Sequence, residues 1–167
     1  RFTIEQLKFL KESEDKVEFK RAEQGNLAYD GGNRTKPNER RRCILGYVTA
    51  LCNEGGGALV IGMEDSYPHK VVGTKQNEGT IGKLESNIYR DTQIRPLIYE
   101  LYEDEEQKKG RVLVIEVPAR PMGQLFKFED VALMRVGEEL RPMSNEKILS
   151  ILQEQEPDFS STISENV

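Results

Sequence analysis

The 167-residue sequence has no tryptophan, one histidine and two cysteines, and aromatic residues make up only 7% of it. Each scarcity removes a class of chemistry. The lone histidine, His69 in "SYPHKVVG", has no cysteine or acidic helix motif matched to it, so no zinc site is indicated and the residue is expected on the surface. Cys43 and Cys52 fall on one expected helix, about 13 Å apart at the helical rise, too far for a disulfide. They read as small buried hydrophobes in a reducing compartment, with no histidine placed to activate them. No serine has nucleophile-elbow surroundings.

Long apolar runs are missing as well. Nothing approaches about 18 consecutive apolar residues, and no charged-then-apolar leader opens the chain, so neither a membrane span nor secretion is indicated. The expected location is the cytoplasm, with no membrane partner. No internal repeat or low-complexity tract is found, and no cofactor or metal is expected.

What is present suits one domain: 19.1 kDa with 37% hydrophobic residues. The chain opens at Arg1 and closes on the polar "EPDFSSTISENV". The expectation is a domain over 1–153 and a linker over 154–167, leading toward a missing C-terminal region.

Local patterns give alternating helices and strands. Thr3 and Gln6 form a capping-box pattern, predicting a short helix from about Ile4 to Lys11. Val17 and Phe19 alternate with Glu18 and Lys20, the mark of a half-buried strand. Residues 23–38 are rich in Gly, Asn and polar side chains and predict a long functional or mobile loop. Ile44, Leu45, Val48, Leu51 and Cys52 then repeat at helical spacing, predicting one helix over Glu39–Asn53 capped by Asn38. A buried strand "ALVIG", a helix over about 80–91, and a hairpin of "LIYELY" and "RVLVIEV" follow. A strand over 131–137 and a helix capped by Ser144 complete the order.

The glycines of "NEGGGALVIGMED" raise the question of a phosphate loop. Such a loop runs strand, glycines, helix, so that amide groups and the positive helix end face the phosphates. Here the glycines follow a helix, next to its negative end, and Met63 and Glu64 stand where Lys and Ser/Thr are needed. They read instead as a helix C-terminal turn.

Taken in order, "VEFKR" at 17–21, "ALCNEGGGALVIGMED" at the end of the amphipathic helix, "VVG" at 71–73, "IRPLIYE" at 94–100, "VLVIEVPARP" at 112–121 and "MRVGEELRPMS" at 134–144 resemble the Schlafen AlbA-type DNA-binding domain. This domain occurs in bacterial transcriptional regulators, some RecG-like and helicase-related. The resemblance spans about 12–153. It implies an α+β fold with an Alba-like core, a mixed sheet packed by helices plus a C-terminal strand and helix, and it implies association with nucleic acid.

Charge is segregated along the chain. The whole carries −5, which argues against indiscriminate polyanion binding. Residues 20–42 hold seven basic side chains against three acidic ones, net +4, leaving −9 for the remainder. Lys20, Arg21, Arg34, Lys36, Arg40 and Arg42 are therefore the candidate phosphate contacts to DNA. Arginines in a helix's first turn oppose its dipole, so something other than local stability favours them there. Arg41 projects over the apolar stripe and is expected in an internal ion pair.

Two alternatives stand beside DNA binding without catalysis. In Schlafen proteins with nuclease activity, carboxylates around the Glu-Phe-Lys segment and after the Gly-rich strand form the active site. The resemblance maps these onto Glu18, Glu14 or Glu12, and Asp65 or Glu64, a set able to hold divalent metal. The other alternative is a dimerisation or protein-interaction module built on the hairpin and the acidic remainder, with a homodimer among its partners and DNA contacts elsewhere in the parent chain.

Overall fold

The computed structural model describes residues 1–11 and 16–155. Its elements run α1 (Ile4–Lys8), β1 (Val17–Lys20), α2 (Pro37–Arg41), α3 (Ile44–Asn53), β2 (Gly57–Ile61), α4 (Ile81–Thr92), β3 (Leu97–Asp104), β4 (Lys109–Val117), β5 (Lys127–Phe128), β6 (Val131–Val136), β7 (Glu139–Pro142) and α5 (Asn145–Leu152). Two sheets form, one ordered β1-β2-β4-β3 and one ordered β5-β6-β7. The fold is α+β with an Alba-like core, its mixed sheet packed by helices.

As expected from alternation in one segment and continuous apolar character in the other, β1 lies parallel to β2, with Val17 opposite Ala58 and Lys20 opposite Ile61. The hairpin of β3 and β4 continues the sheet antiparallel. Strands β2 and β4 are buried on both faces. Leu59, Ile61, Leu113 and Ile115 face α3, whereas Ala58, Val60, Val112 and Val114 join Val17, Phe19 and Leu7 beneath α1.

Helix α3 buries Ile44 and every residue from Gly46 to Asn53, and touches both sheets. At its end Asn53 donates through Nδ2 to the carbonyls of Phe126 (2.8 Å) and Leu133 (3.1 Å), while Oδ1 accepts from the Phe126 N–H. One side chain thus fixes the second sheet to the helix. Gly55 and Gly56, at φ +96° and +95°, turn the chain from α3 into β2, the role expected for them.

Four expectations change. The single helix over Glu39–Asn53 is two helices, because Cys43 adopts an extended conformation and its Sγ accepts from the Gly46 N–H. Gly46 permits this corner: a Cβ there would run into the Arg41 carbonyl. Asn38 lies inside α2, whose N-cap is Lys36 with Pro37 at N1. The first helix stops at Lys8, where Phe9 caps it. His69 is buried at 1% exposure, since its ring lies parallel to Phe19 at a 3.7 Å centroid distance and its nitrogens meet two backbone carbonyls. Both cysteines are free and buried, which pushes each thiol up to about 11.

A Cβ at Gly57 would run into the Lys16 carbonyl that pairs with the Ala58 N–H, whereas one at Gly82 meets nothing. Urea denaturation is expected to show Gly57→Ala losing about 2–4 kcal/mol and Gly82→Ala gaining about 0.5 kcal/mol.

Candidate nucleic-acid interface

The basic segment is knotted rather than loose. Arg34 donates to four backbone carbonyls, those of Asp30 (2.9 Å), Gly31 (3.3 Å), Arg42 (3.1 Å) and Arg40 (3.4 Å). Arg40 reaches back to the carbonyls of Gly32 and Arg34 and forms a two-point ion pair with Glu129. The loop's approach to α3 is fixed by the N–H groups of Ile44 and Leu45, which donate to Ala28 and Tyr29. Its other flank is held by Gln76, hydrogen-bonded to both the N–H and the carbonyl of Leu27.

This knot sorts the six candidate cations. Lys20 sits 3.4 Å from Glu18 and over the Tyr47 ring at 4.8 Å. Arg21 pairs with Glu23 and Glu64. Arg40 is spent on Glu129. Arg34 meets only carbonyls, and among the described residues no carboxylate pairs with it. Lys36 and Arg42 are exposed, and neither forms an ion pair among the described residues.

The internal ion pair expected of Arg41 belongs to Arg40, because the helix break at Arg42 and Cys43 invalidates a projection carried through from α3. Arg41 is partly exposed and also makes no ion pair among the described residues. The break also relieves the expected conflict with the helix dipole. Arg40 and Arg41 occupy the last turn of α2, where positive charge is favourable.

At the other end of α3, the free edge of β1 floors a cleft of about 1270 Å³, walled by Asp65 and His69, the β6–β7 turn and α5. Glu18, only 4% exposed, accepts two hydrogen bonds from Arg135 of β6, at 2.8 and 3.1 Å. Arg135 also donates to the Val17 carbonyl, joining the two sheets across the cleft. Burial raises the Glu18 carboxyl above its ordinary 4.5, against the opposing pull of Lys20 and Arg135. Asp65 lines the same cleft; Glu12 and Glu14 lie outside the described residues. Among the described residues, no three His, Cys, Asp or Glu side chains gather as a metal site.

Neither Arg135 nor Asn53 stands out in the sequence as a site or clasp residue. The only signal at Arg135 is a cation interrupting the apolar run "VALMRV".

An α+β domain with an Alba-like core and a preformed cationic corner is the class these features define. The family model described as Schlafen, AlbA_2 matches residues 12–144, and the chain belongs to that family. No curated protein matches the sequence. Among solved structures, the crystal structure of the DIP2311 protein from Corynebacterium diphtheriae is similar at a TM-score of 0.54 and 23% identity, over 80% of this chain. The chain spans 26% of that protein's length. The N-terminal domain of a RecG-related protein from Nitrosomonas europaea gives a TM-score of 0.48 at 18% identity, over 85% of this chain and 88% of that domain. Among the described residues no helix is long and apolar enough to cross a membrane.

Removing the partners of the Glu18–Arg135 pair is expected to have unequal effects. Arg135→Met leaves the buried carboxylate with Lys20 as its one remaining cation among the described residues and should cost about 3 kcal/mol at neutral pH. Because the folded-state pKa of Glu18 is raised, its charged form opposes folding above pH 4.5, and Glu18→Gln should cost less than about 1 kcal/mol there. Urea melts at pH 7 and pH 4.5 test this: the Arg135→Met deficit should shrink at the lower pH, where Glu18 takes up its proton.

Proposed function

We propose that the domain is a nucleic-acid-binding module that grips duplex DNA phosphates through the corner formed by Lys36, Arg41 and Arg42, with Arg34 adding its charge behind them. The supporting observation is the Arg34 knot, which orders a cationic segment whose outward charges form no ion pair among the described residues. Ordering before binding lowers the entropic cost of association. Lys20, Arg21 and Arg40 have structural roles in this reading and contribute little to phosphate binding. Membership of the Schlafen AlbA_2 family supports a nucleic-acid role. The finer role, a DNA-contacting part of a bacterial transcriptional regulator, rests on the resemblance, whereas the cytoplasmic location and the division into a domain over 1–153 and a linker over 154–167 rest on the sequence composition.

A second reading, metal-dependent cleavage, is favoured by one observation: Glu18 and Asp65 share a cleft. It ranks lower because Arg135 and Lys20 already engage the Glu18 carboxylate.

Fluorescence anisotropy with a labelled duplex at several salt concentrations tests the proposal. Log affinity should fall linearly with log salt, and each of Lys36→Gln, Arg41→Gln and Arg42→Gln should make the slope shallower by about 0.9, the effect of one phosphate no longer neutralised. Arg40→Gln should lower thermal stability more than binding. An unchanged slope in the triple variant would overturn the assignment. DNA cleavage in Mg²⁺, abolished by both Glu18→Gln and Asp65→Asn, would establish the second reading instead.

A further inference from the structure

We propose that the exposed aromatic pair Phe9 and Tyr67, where the end of α1 meets the loop after β2, is a stacking platform for unpaired bases of a single nucleic-acid strand. The inference rests on the nucleic-acid reading above and adds a strand type and a binding surface separate from the Arg34 corner.

Two large rings are left in solvent, Phe9 at 51% and Tyr67 at 53% exposure, although they lie far apart in the chain. Their centroids are 6.4 Å apart with planes at 65°. Neither belongs to an apolar cluster of the core. Their mutual position is set from below by His69. Its Nδ1 lies 2.8 Å from the Glu64 carbonyl oxygen and its Nε2 lies 2.9 Å from that of Leu10. Its backbone N–H donates to the Lys8 carbonyl at 2.9 Å. The ring stacks on Phe19 and meets Tyr67 edge-on at 6.2 Å and 88°. The buried histidine therefore locks the end of α1 to the loop after β2 and holds the two exposed rings ready.

The surrounding charge selects the ligand. Lys8, Lys11 and Lys70 flank the rings, and among the described residues none of them pairs with a carboxylate. Among the described acids of the loop, Glu64 is taken by Arg21 and Asp65 pairs with no cation; Glu12, Glu14 and Asp15, which follow Lys11 in the sequence, lie outside the described residues. Aromatic faces interleaved with lysines match a strand whose bases stack while its phosphates meet the cations. Bases within a duplex are already stacked on their neighbours, so only unpaired bases present a free face.

The test uses the 167-residue chain with a labelled oligo-dT of about 12 nucleotides, within the usual site size for such surfaces, and a duplex of equal length. Phe9→Ala and Tyr67→Ala should each weaken oligo-dT binding about tenfold, the scale of one stacked base, and leave duplex binding within about twofold. Tyr67→Phe keeps the π-face and should retain affinity. Since the chain has no tryptophan, Tyr67→Trp introduces a unique fluorophore, and oligo-dT should quench it. Unchanged oligo-dT affinity in the double alanine variant, or equal losses on both ligands, would overturn the platform. Wild-type binding to duplex alone would overturn the platform and leave the corner standing; binding to neither ligand would overturn both.

Discussion

Burial of α3 between two sheets is the constraint on which the rest of the domain depends. The helix supplies one wall of the main core and, through Asn53, the hydrogen bonds that seat β5 and β6. An asparagine 3% exposed with its amide satisfied at three points orients the second sheet more tightly than apolar packing alone. Everything functional is placed relative to that helix. The cationic corner caps one end, and the cleft opens where the other end turns into β2.

The two ends solve different electrostatic problems. At the corner, arginine is satisfied by backbone carbonyls, a neutral set of acceptors that orders the chain without cancelling the charge. In the cleft, Glu18 and Arg135 cancel one another and join the sheets. A buried ion pair adds little net stability compared with apolar packing, but it fixes a single arrangement, because slippage would strand a charge. The same residue type thus serves display in one place and registration in the other.

Much of this was legible from local patterns. The Thr3–Gln6 capping box, the Ser144 cap and the continuous apolar character of β2 each depend on neighbours within a few residues, and each is formed as expected. The strand β1 also forms, but it is not half-buried as its alternation predicts, because Arg135 of the second sheet covers Glu18. The glycine turn was readable from the order of elements. The break between α2 and α3 was not, because the apolar period begins only at Ile44 and a cysteine is an unusual cap. β5 and β7 are too short to carry a period. The burial of His69 was hidden because its partners, Leu10 and Phe19, are distant in sequence. The basic segment was visible as composition, but which cations face outward depends on Glu129 and on carbonyls that only the folded loop assembles.

Amide hydrogen exchange of the chain with and without duplex DNA probes the preformed corner most directly. The amides of Arg34, Arg40 and Arg42, which donate to the carbonyls of Gly31, Lys36 and Glu39, should already be protected in the free protein, and residues 30–42 should gain further protection on adding DNA, while the acidic turn at 103–106 stays unchanged. Free exchange across 30–42 before DNA is added, or DNA-dependent protection centred elsewhere, would contradict a preformed phosphate-binding corner.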